Sequence, residues 1–75
     1  MSKDSIIQAQ LRAFGANVRR ERATKEMTQE KLAELVDVNI RTIQKVEAGD
    51  INVLVTTVLR IRKALGCAWS RLMPD

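Results

Sequence analysis

The sequence predicts an all-α protein, a compact bundle of five helices in one domain that spans residues 1–75. Apolar residues recur at intervals of three and four, which is the spacing of one helix face. Residue types that favour helix ends, such as Thr, Asn and Gly, separate the segments. The composition is 45% hydrophobic with one Phe, one Trp and no Tyr, which indicates the aliphatic core of a small helical bundle.

The first helix is expected from about Ile6 to Ala23, after residues 1–4, which we expect to be disordered. Ser5 and Gln8 have the spacing of a capping box at its start. Gly15 lies inside the helix at a cost of about 1 kcal/mol relative to Ala, and we interpret it as allowing close contact with another helix. The apolar stripe of this helix consists of Ile7, Leu11, Phe14 and Val18.

Two short helices joined by a tight bend are predicted for residues 28–47. Thr28 caps the second helix, the pattern breaks at Asp37, and Asn39 caps the third. Ala33 is small enough for the two helices to approach closely. The short bend favours the steep crossing of a helix-turn-helix unit, although any corner between two helices of a bundle has the same spacing. The two apolar faces are Leu32, Leu35 and Val36, then Ile40, Ile43 and Val46.

The remaining chain predicts two more helices. Gly49 is placed to end the third helix in a left-handed conformation. Asn52 is expected to cap a fourth helix from about Val53 to Leu65, since the segment LRIRKALG, which closes with glycine, favours helix over a buried strand. A short fifth helix from about Ala68 to Met73 ends before the single proline.

Two charges continue the apolar stripes of the first and third helices, Arg22 and Glu47. Opposite charges on two core-facing lines are best explained by each other. We therefore predict a partly buried ion pair that ties the first helix to the end of the third, with the planar guanidinium bound through two hydrogen bonds. The alternative is a pair of surface side chains that extend into water.

Residue usage excludes several kinds of protein. One cysteine, Cys67, and no histidine exclude an internal disulfide and a zinc finger, and we interpret Cys67 as a core residue. We expect no enzyme, cofactor or metal, because neither a thiol–base pair nor a phosphate-binding glycine loop is present. Without a membrane-spanning run or a signal-peptide core, we expect a cytoplasmic protein with no membrane partner. The net charge of +4 allows nucleic acid or an acidic surface as a partner.

The segments MTQEKLAELV, VNIRTIQKVEAG and LRIRKALG resemble the phage repressor/Cro-type (XRE family) of helix-turn-helix DNA-binding regulators. The resemblance runs without a gap from about Phe14 to Pro74. It implies a repressor-like bundle in which the second and third helices form the helix-turn-helix. It also implies the ion pair between Arg22 and Glu47.

This chain departs from the family pattern at several positions, and three of them lie close to the third helix. Asp37 stands where many members have Gly, and a left-handed backbone there is tolerable for Asp. Ala48 and Asp50 stand where relatives often have a basic residue or Asn. The acidic side chain of Asp50 weakens attraction to the DNA backbone locally.

In this motif, exposed residues near the start of the third helix read bases in the major groove. Arg41 can bind guanine through two hydrogen bonds, Gln44 can bind adenine, and Lys45 can bind guanine or a phosphate. Ile40 either contacts a thymine methyl or packs into the core, and both interpretations stay open. The predicted base-reading set is Asn39, Ile40, Arg41, Gln44 and Lys45.

Phosphate contacts are predicted for Gln29, at the positive end of the second helix, and by resemblance for Thr42. The alternative for Gln29 is an ordinary residue of the first helical turn. A dimer surface is predicted at Trp69, Leu72 and Met73, although Trp69 can instead close the core of the monomer.

We therefore predict a sequence-specific transcription regulator that binds double-stranded DNA as a homodimer on a palindromic operator, with half-sites about 34 Å apart or a multiple of that distance. RNA polymerase and a cognate toxin are candidate further partners. The alternatives are an antitoxin or a restriction–modification controller of the same fold, or a protein-interaction bundle that does not bind DNA.

Overall fold

The computed structural model describes residues 3–74, which fold into five α-helices and, within that range, no β-strand. The predicted all-α class and the order of its elements are thereby confirmed. Within the described range, none of the helices combines the length and apolar character needed to cross a bilayer. The helices are α1 (Lys3–Thr24), α2 (Gln29–Val36), α3 (Ile40–Ala48), α4 (Val55–Leu65) and α5 (Trp69–Leu72).

The start of α1 differs from the prediction. The helix begins at Lys3 rather than Ile6, so Ser5 lies inside its first turns and not at the cap. Asp4 lies in the first turn, where a carboxylate is favoured by the positive end of the helix dipole. Of the residues predicted to be disordered, Lys3 and Asp4 are helical, and residues 1 and 2 lie outside the described residues.

Every helix contributes to one apolar core. The buried side chain from α5 is Leu72, with an exposed fraction of 0%. The prediction that Leu72 belongs to a dimer surface is therefore wrong, because this side chain completes the core of the monomer. The buried apolar residues are Phe14, Val18, Leu32, Ala33, Val36, Ile43, Val46, Ile61, Leu65 and Leu72.

Helix α1 packs closely on the C-terminal end of α3. A Cβ atom built on Gly15 would overlap the backbone carbonyl oxygen of Val46 and lie 2.8 Å from that of Glu47. This confirms the interpretation of Gly15 as the site of a close helix contact. Nearby, Gln8 Nε2 donates a hydrogen bond of 2.7 Å to the carbonyl oxygen of Gly49, so Gln8 links α1 to the end of α3 and makes no capping box.

The bend between α2 and α3 is built as predicted. Thr28 caps α2 by accepting from the Lys31 backbone N–H at 3.0 Å. Asp37 ends the helix with a left-handed backbone, φ 63°, and its N–H bonds to carbonyl oxygens of the preceding turn. Left-handed geometry is uncommon for residues other than glycine, and a short polar side chain such as that of Asp tolerates it best. Ala33 is buried between the crossing helices.

The connection from α3 to α4 is less regular than predicted. Gly49 ends α3 with φ 73°, in agreement with the prediction. The residue that precedes α4 is Leu54, which makes no side-chain capping bond, so the predicted cap at Asn52 is wrong. The apolar residues Val55 and Leu59 of α4 remain 74% and 50% exposed.

A polar cluster that the sequence did not predict fastens α5 to α1. Glu21 is 5% exposed, and its carboxylate accepts hydrogen bonds from Arg71 Nη2 at 2.9 Å and from Arg20 Nε at 3.2 Å. Asn17 Nδ2 donates to the backbone carbonyl oxygen of Leu72 at 2.8 Å. These bonds hold the four-residue helix α5 against the core.

Candidate nucleic-acid interface

Helix α3 presents a polar face to solvent. Gln44 and Lys45 lie three and four residues after Arg41, so the three side chains share one face, and all are exposed. The opposite face is buried through Ile43 and Val46, so the packing of the core fixes which side chains point outward. This face carries two cationic groups and one carboxamide, which together can donate to guanine and pair with adenine in a major groove.

The residues at the start of α3 are held in place by hydrogen bonding or by packing against the core. The Asn39 side-chain oxygen accepts from the Arg41 backbone N–H at 2.8 Å, which leaves the Asn39 amide N–H groups as the part free for DNA. Ile40 is half-buried and packs against the core, which supports the packing interpretation of this residue. Thr42 is also half-buried.

Gln29 is the first residue of α2 and lies beside α3. The first backbone N–H groups of a helix have no partner within the helix, and they carry partial positive charge. The Gln29 side chain is half-buried, and its Nε2 donates to Glu47 Oε1 at 3.1 Å. Gln29 is therefore not an isolated side chain in the first turn of α2, since it is hydrogen-bonded to the C-terminal turn of α3.

The predicted ion pair between Arg22 and Glu47 is present. Arg22 Nε donates to Glu47 Oε2 at 2.7 Å and Arg22 Nη2 donates to Oε1 at 3.0 Å. The two side chains are 15% and 5% exposed, respectively. Hydrogen bonding to Glu47 raises the pKa of Arg22 above its ordinary value, although burial acts in the opposite direction. The third guanidinium nitrogen donates to the backbone carbonyl oxygen of Met27 at 2.8 Å, which also fixes the loop before α2.

Two acidic side chains near α3 remain exposed, Asp37 before it and Asp50 after it. Negative charges at the two ends of the helix oppose the attraction of a polyanion such as DNA. Glu47 differs from both, because it is almost covered and paired with a cation. The exposed charge within α3 itself is therefore positive.

A separate apolar surface lies on α4 and α5. Val55, Leu59 and Arg62 are four and three residues apart and share one face of α4. The Arg62 guanidinium carbon lies 5.0 Å from the centre of the Trp69 ring, so this face continues onto α5. We call the exposed apolar residues Leu54, Val55, Leu59 and Trp69 the α4–α5 apolar surface.

The interactions that sequence reasoning missed join residues far apart in the chain. Nothing in the spacing of Gln29 and Glu47 signals their hydrogen bond, because they lie on different helices. The burial of Glu21 could have been recognised from the sequence, since this acidic residue directly precedes Arg22 and lies on the inner side of α1. Its partner Arg71 lies 50 residues away, and no periodic pattern includes it.

Comparisons with known proteins agree with this geometry. A family described as helix-turn-helix matches residues 18–72. The chain is similar to the crystal structure of the restriction-modification controller protein C.AhdI from Aeromonas hydrophila. The similarity has a TM-score of 0.82 at 32% sequence identity and covers 87% of this chain and 98% of that chain. No curated protein sequence matches the chain.

Proposed function

Because the chain belongs to the helix-turn-helix family of XRE-type DNA-binding regulators of transcription, we propose that it binds one specific duplex site as a homodimer. In this proposal residues 1–75 act as a single DNA-binding domain, and α3 lies in the major groove. The site is a palindromic operator, since two identical subunits related by a twofold axis read the same sequence on opposite strands.

The observation that carries the proposal is the exposed face of α3. Arg41 is the residue suited to two hydrogen bonds with guanine, Gln44 suits adenine, and Lys45 reaches a guanine or a phosphate. Asn39 offers its amide N–H groups for contact with a base, and Ile40 offers the part of its side chain that the core leaves uncovered.

Phosphate contacts hold α3 in register along the groove. We assign them to Gln29, with the backbone N–H groups at the start of α2, and to Thr42. The role of Gln29 is supported by its position as the first residue of α2, where it is hydrogen-bonded to α3. These contacts carry no sequence information, so they stabilise specific and non-specific complexes alike.

The homodimer is supported by the α4–α5 apolar surface. Leu54 and Val55 are 72% and 74% exposed, Leu59 is 50% exposed, and Trp69 is 38% exposed. Exposed apolar groups that share one helix face commonly mark a protein–protein contact. Met73, which is 47% exposed at the end of α5, retains its predicted place in the interface, whereas Leu72 does not.

One candidate role is favoured by a specific observation. The chain aligns with 98% of a protein named as a restriction-modification controller at 32% identity. Control of restriction–modification genes is therefore the regulatory role that we propose first. This role is tested by the DNA site that the protein prefers. That site should occur in front of such genes, or in front of the gene for this chain.

The proposal is tested by selecting bound fragments from random duplex DNA. We expect one enriched palindromic site. The variant R41A should lose about 1–3 kcal/mol on that site and accept other bases at one position of each half-site. K63A is the matched control, because Lys63 is an exposed cation on α4, outside the proposed interface.

K63A should retain the base preference of the wild-type protein. The absence of any enriched site would contradict sequence-specific binding. Unchanged base preference in R41A would show that α3 does not read the site through this residue.

A further inference from the structure

One carboxylate oxygen joins the structural ion pair to the proposed phosphate contact. Glu47 Oε1 accepts from Arg22 Nη2 at 3.0 Å and from Gln29 Nε2 at 3.1 Å. The second oxygen, Oε2, accepts from Arg22 Nε at 2.7 Å. Both carboxylate oxygens are thus engaged, and the group is almost entirely covered.

The hydrogen bond fixes which end of the Gln29 carboxamide faces Glu47. A carboxamide has an acceptor end and a donor end, and an ionised carboxylate only accepts. The NH₂ group of Gln29 must therefore point towards Glu47. This group has two hydrogens, and Glu47 uses one of them. The second remains available to a phosphate oxygen that approaches the start of α2.

We propose that Glu47 is a positioning residue for DNA binding, which holds the Gln29 NH₂ group in the orientation that donates to a phosphate. This inference rests on the proposed role of Gln29 as a phosphate contact. Without Glu47, the carboxamide can rotate and present its oxygen to the phosphate, an arrangement of two acceptors that repel each other. A fixed side chain also loses less conformational entropy when DNA binds.

Arg22 makes an acidic residue compatible with this position. A free carboxylate next to the start of α2 would repel a phosphate. The guanidinium binds both oxygens of Glu47 and compensates its charge, and the carboxylate is only 5% exposed. Glu47 therefore supplies an acceptor for Gln29 and presents little negative charge to the DNA.

The variant E47Q tests the inference against a simple electrostatic expectation. This change raises the net charge by one unit, and charge alone predicts stronger DNA binding. If Glu47 orients Gln29, binding should instead weaken by about 3- to 10-fold, which corresponds to the ordering of one flexible side chain. The loss should be the same on the selected site and on a scrambled duplex, since a phosphate contact is independent of sequence.

E21Q is the matched control. Glu21 is equally covered, is paired with an arginine and links α1 to another helix, but it faces α5. This variant makes the same change in charge and removes a comparable ion pair. It should bind DNA at least as tightly as the wild-type protein. Weakening of the same size in E21Q would overturn the inference, because loss of stability would then explain both results.

A double-mutant cycle with Q29A shows whether Glu47 affects DNA binding by positioning Gln29 or independently of it. If Glu47 acts through Gln29, E47Q should cause no further loss of affinity in the Q29A protein. Losses that add would overturn the inference. If Q29A weakens binding and E47Q does not, the positioning role fails while the phosphate contact stands. If Q29A binds like the wild-type protein, the phosphate contact fails and the inference fails with it.

A measurement on the wild-type protein applies even if E47Q does not fold. The side-chain amide proton of Gln29 that is bonded to Glu47 should resonate downfield of its counterpart in the exposed Gln44. Addition of duplex DNA should shift chiefly the signal of the other proton. Signals of Gln29 at the positions found for an exposed glutamine in the free protein, or no shift on addition of DNA, would overturn the inference.

Discussion

Gly15 and Val46 are in backbone contact, because a Cβ atom at residue 15 would overlap the carbonyl oxygen of Val46. This contact sets the distance between α1 and the end of α3. Arg22 lies seven residues after Gly15 on the same face of α1, and at this distance its guanidinium reaches Glu47. The close approach of two backbones therefore makes the ion pair possible.

The variant G15A should be destabilised. A helix interior normally gains about 1 kcal/mol when Gly is replaced by Ala. Here the added methyl group meets backbone atoms that cannot rotate away, and overpacking of this kind costs about 1–3 kcal/mol. We expect a lower urea midpoint for G15A. The exposed neighbour Ala16 provides the control, because A16G should follow propensity alone and lose about 1 kcal/mol. An increase in stability of G15A would contradict the observed contact.

The variant R22A should unfold at a lower temperature. It leaves the Glu47 carboxylate covered and without its cation, and breaking a buried pair in this way costs about 3 kcal/mol or more. For a domain of this size the thermal midpoint should fall by about 10 °C or more. R19A is the control, because Arg19 is an exposed residue of the same helix. Equal midpoints for R22A and R19A would show that the ion pair does not stabilise the fold.

The stability of the protein should depend on pH through Glu21. Hydrogen bonding to Arg71 lowers the pKa of this carboxyl group from its ordinary value of 4.5, against the opposing effect of burial, and Arg20 acts in the same direction as Arg71. A carboxyl group whose pKa is lower in the folded state stabilises the fold above its unfolded pKa. This contribution is lost as the pH falls below about 4.5 and through the folded value.

Thermal midpoints measured between pH 3 and pH 7 check this dependence. The wild-type midpoint should fall towards acid more steeply than that of E21Q, because the carboxamide in this variant has no proton to gain. Parallel pH profiles for the two proteins would exclude a contribution from the Glu21–Arg71 pair.

The proposed homodimer should depend on the α4–α5 apolar surface. The variant L59E places a charge in the middle of this surface and should sediment as a monomer at concentrations where the wild-type protein is a dimer. L35E is a closely matched control, since Leu35 is 48% exposed and Leu59 is 50% exposed. Leu35 lies on α2, so L35E should remain dimeric. Dissociation of L35E together with persistence of the L59E dimer would place the interface elsewhere.

Much of the fold was predictable because helix caps, helix ends and apolar spacing depend on residues that are close in the chain. The caps at Thr28 and Asn39 and the left-handed ends at Asp37 and Gly49 depend on backbone groups within a few residues. The helical class follows from apolar spacing within each segment. Arg22 and Glu47 could also be predicted as partners from the sequence, because each is a charged residue that continues an apolar stripe.

Predictions failed where burial depends on how helices are placed relative to one another. Leu72 and Leu59 are both leucines within helices, yet the first is covered and the second is half-exposed. Their own segments cannot distinguish them, because the covering side chains come from other helices. The predicted cap at Asn52 failed for a related reason, since the chain enters α4 through Leu54 with no side-chain cap.

From its residues alone, this chain predicts five helices, the bend between α2 and α3, and the partners of the ion pair. Only the packing of the helices shows which apolar side chains stay uncovered, and that Glu47 accepts hydrogen bonds from Gln29 as well as from Arg22. The two kinds of feature differ in the range of the interactions that produce them. Helix formation and capping depend on neighbours in the chain, whereas burial and hydrogen bonds between helices depend on residues that only folding brings together.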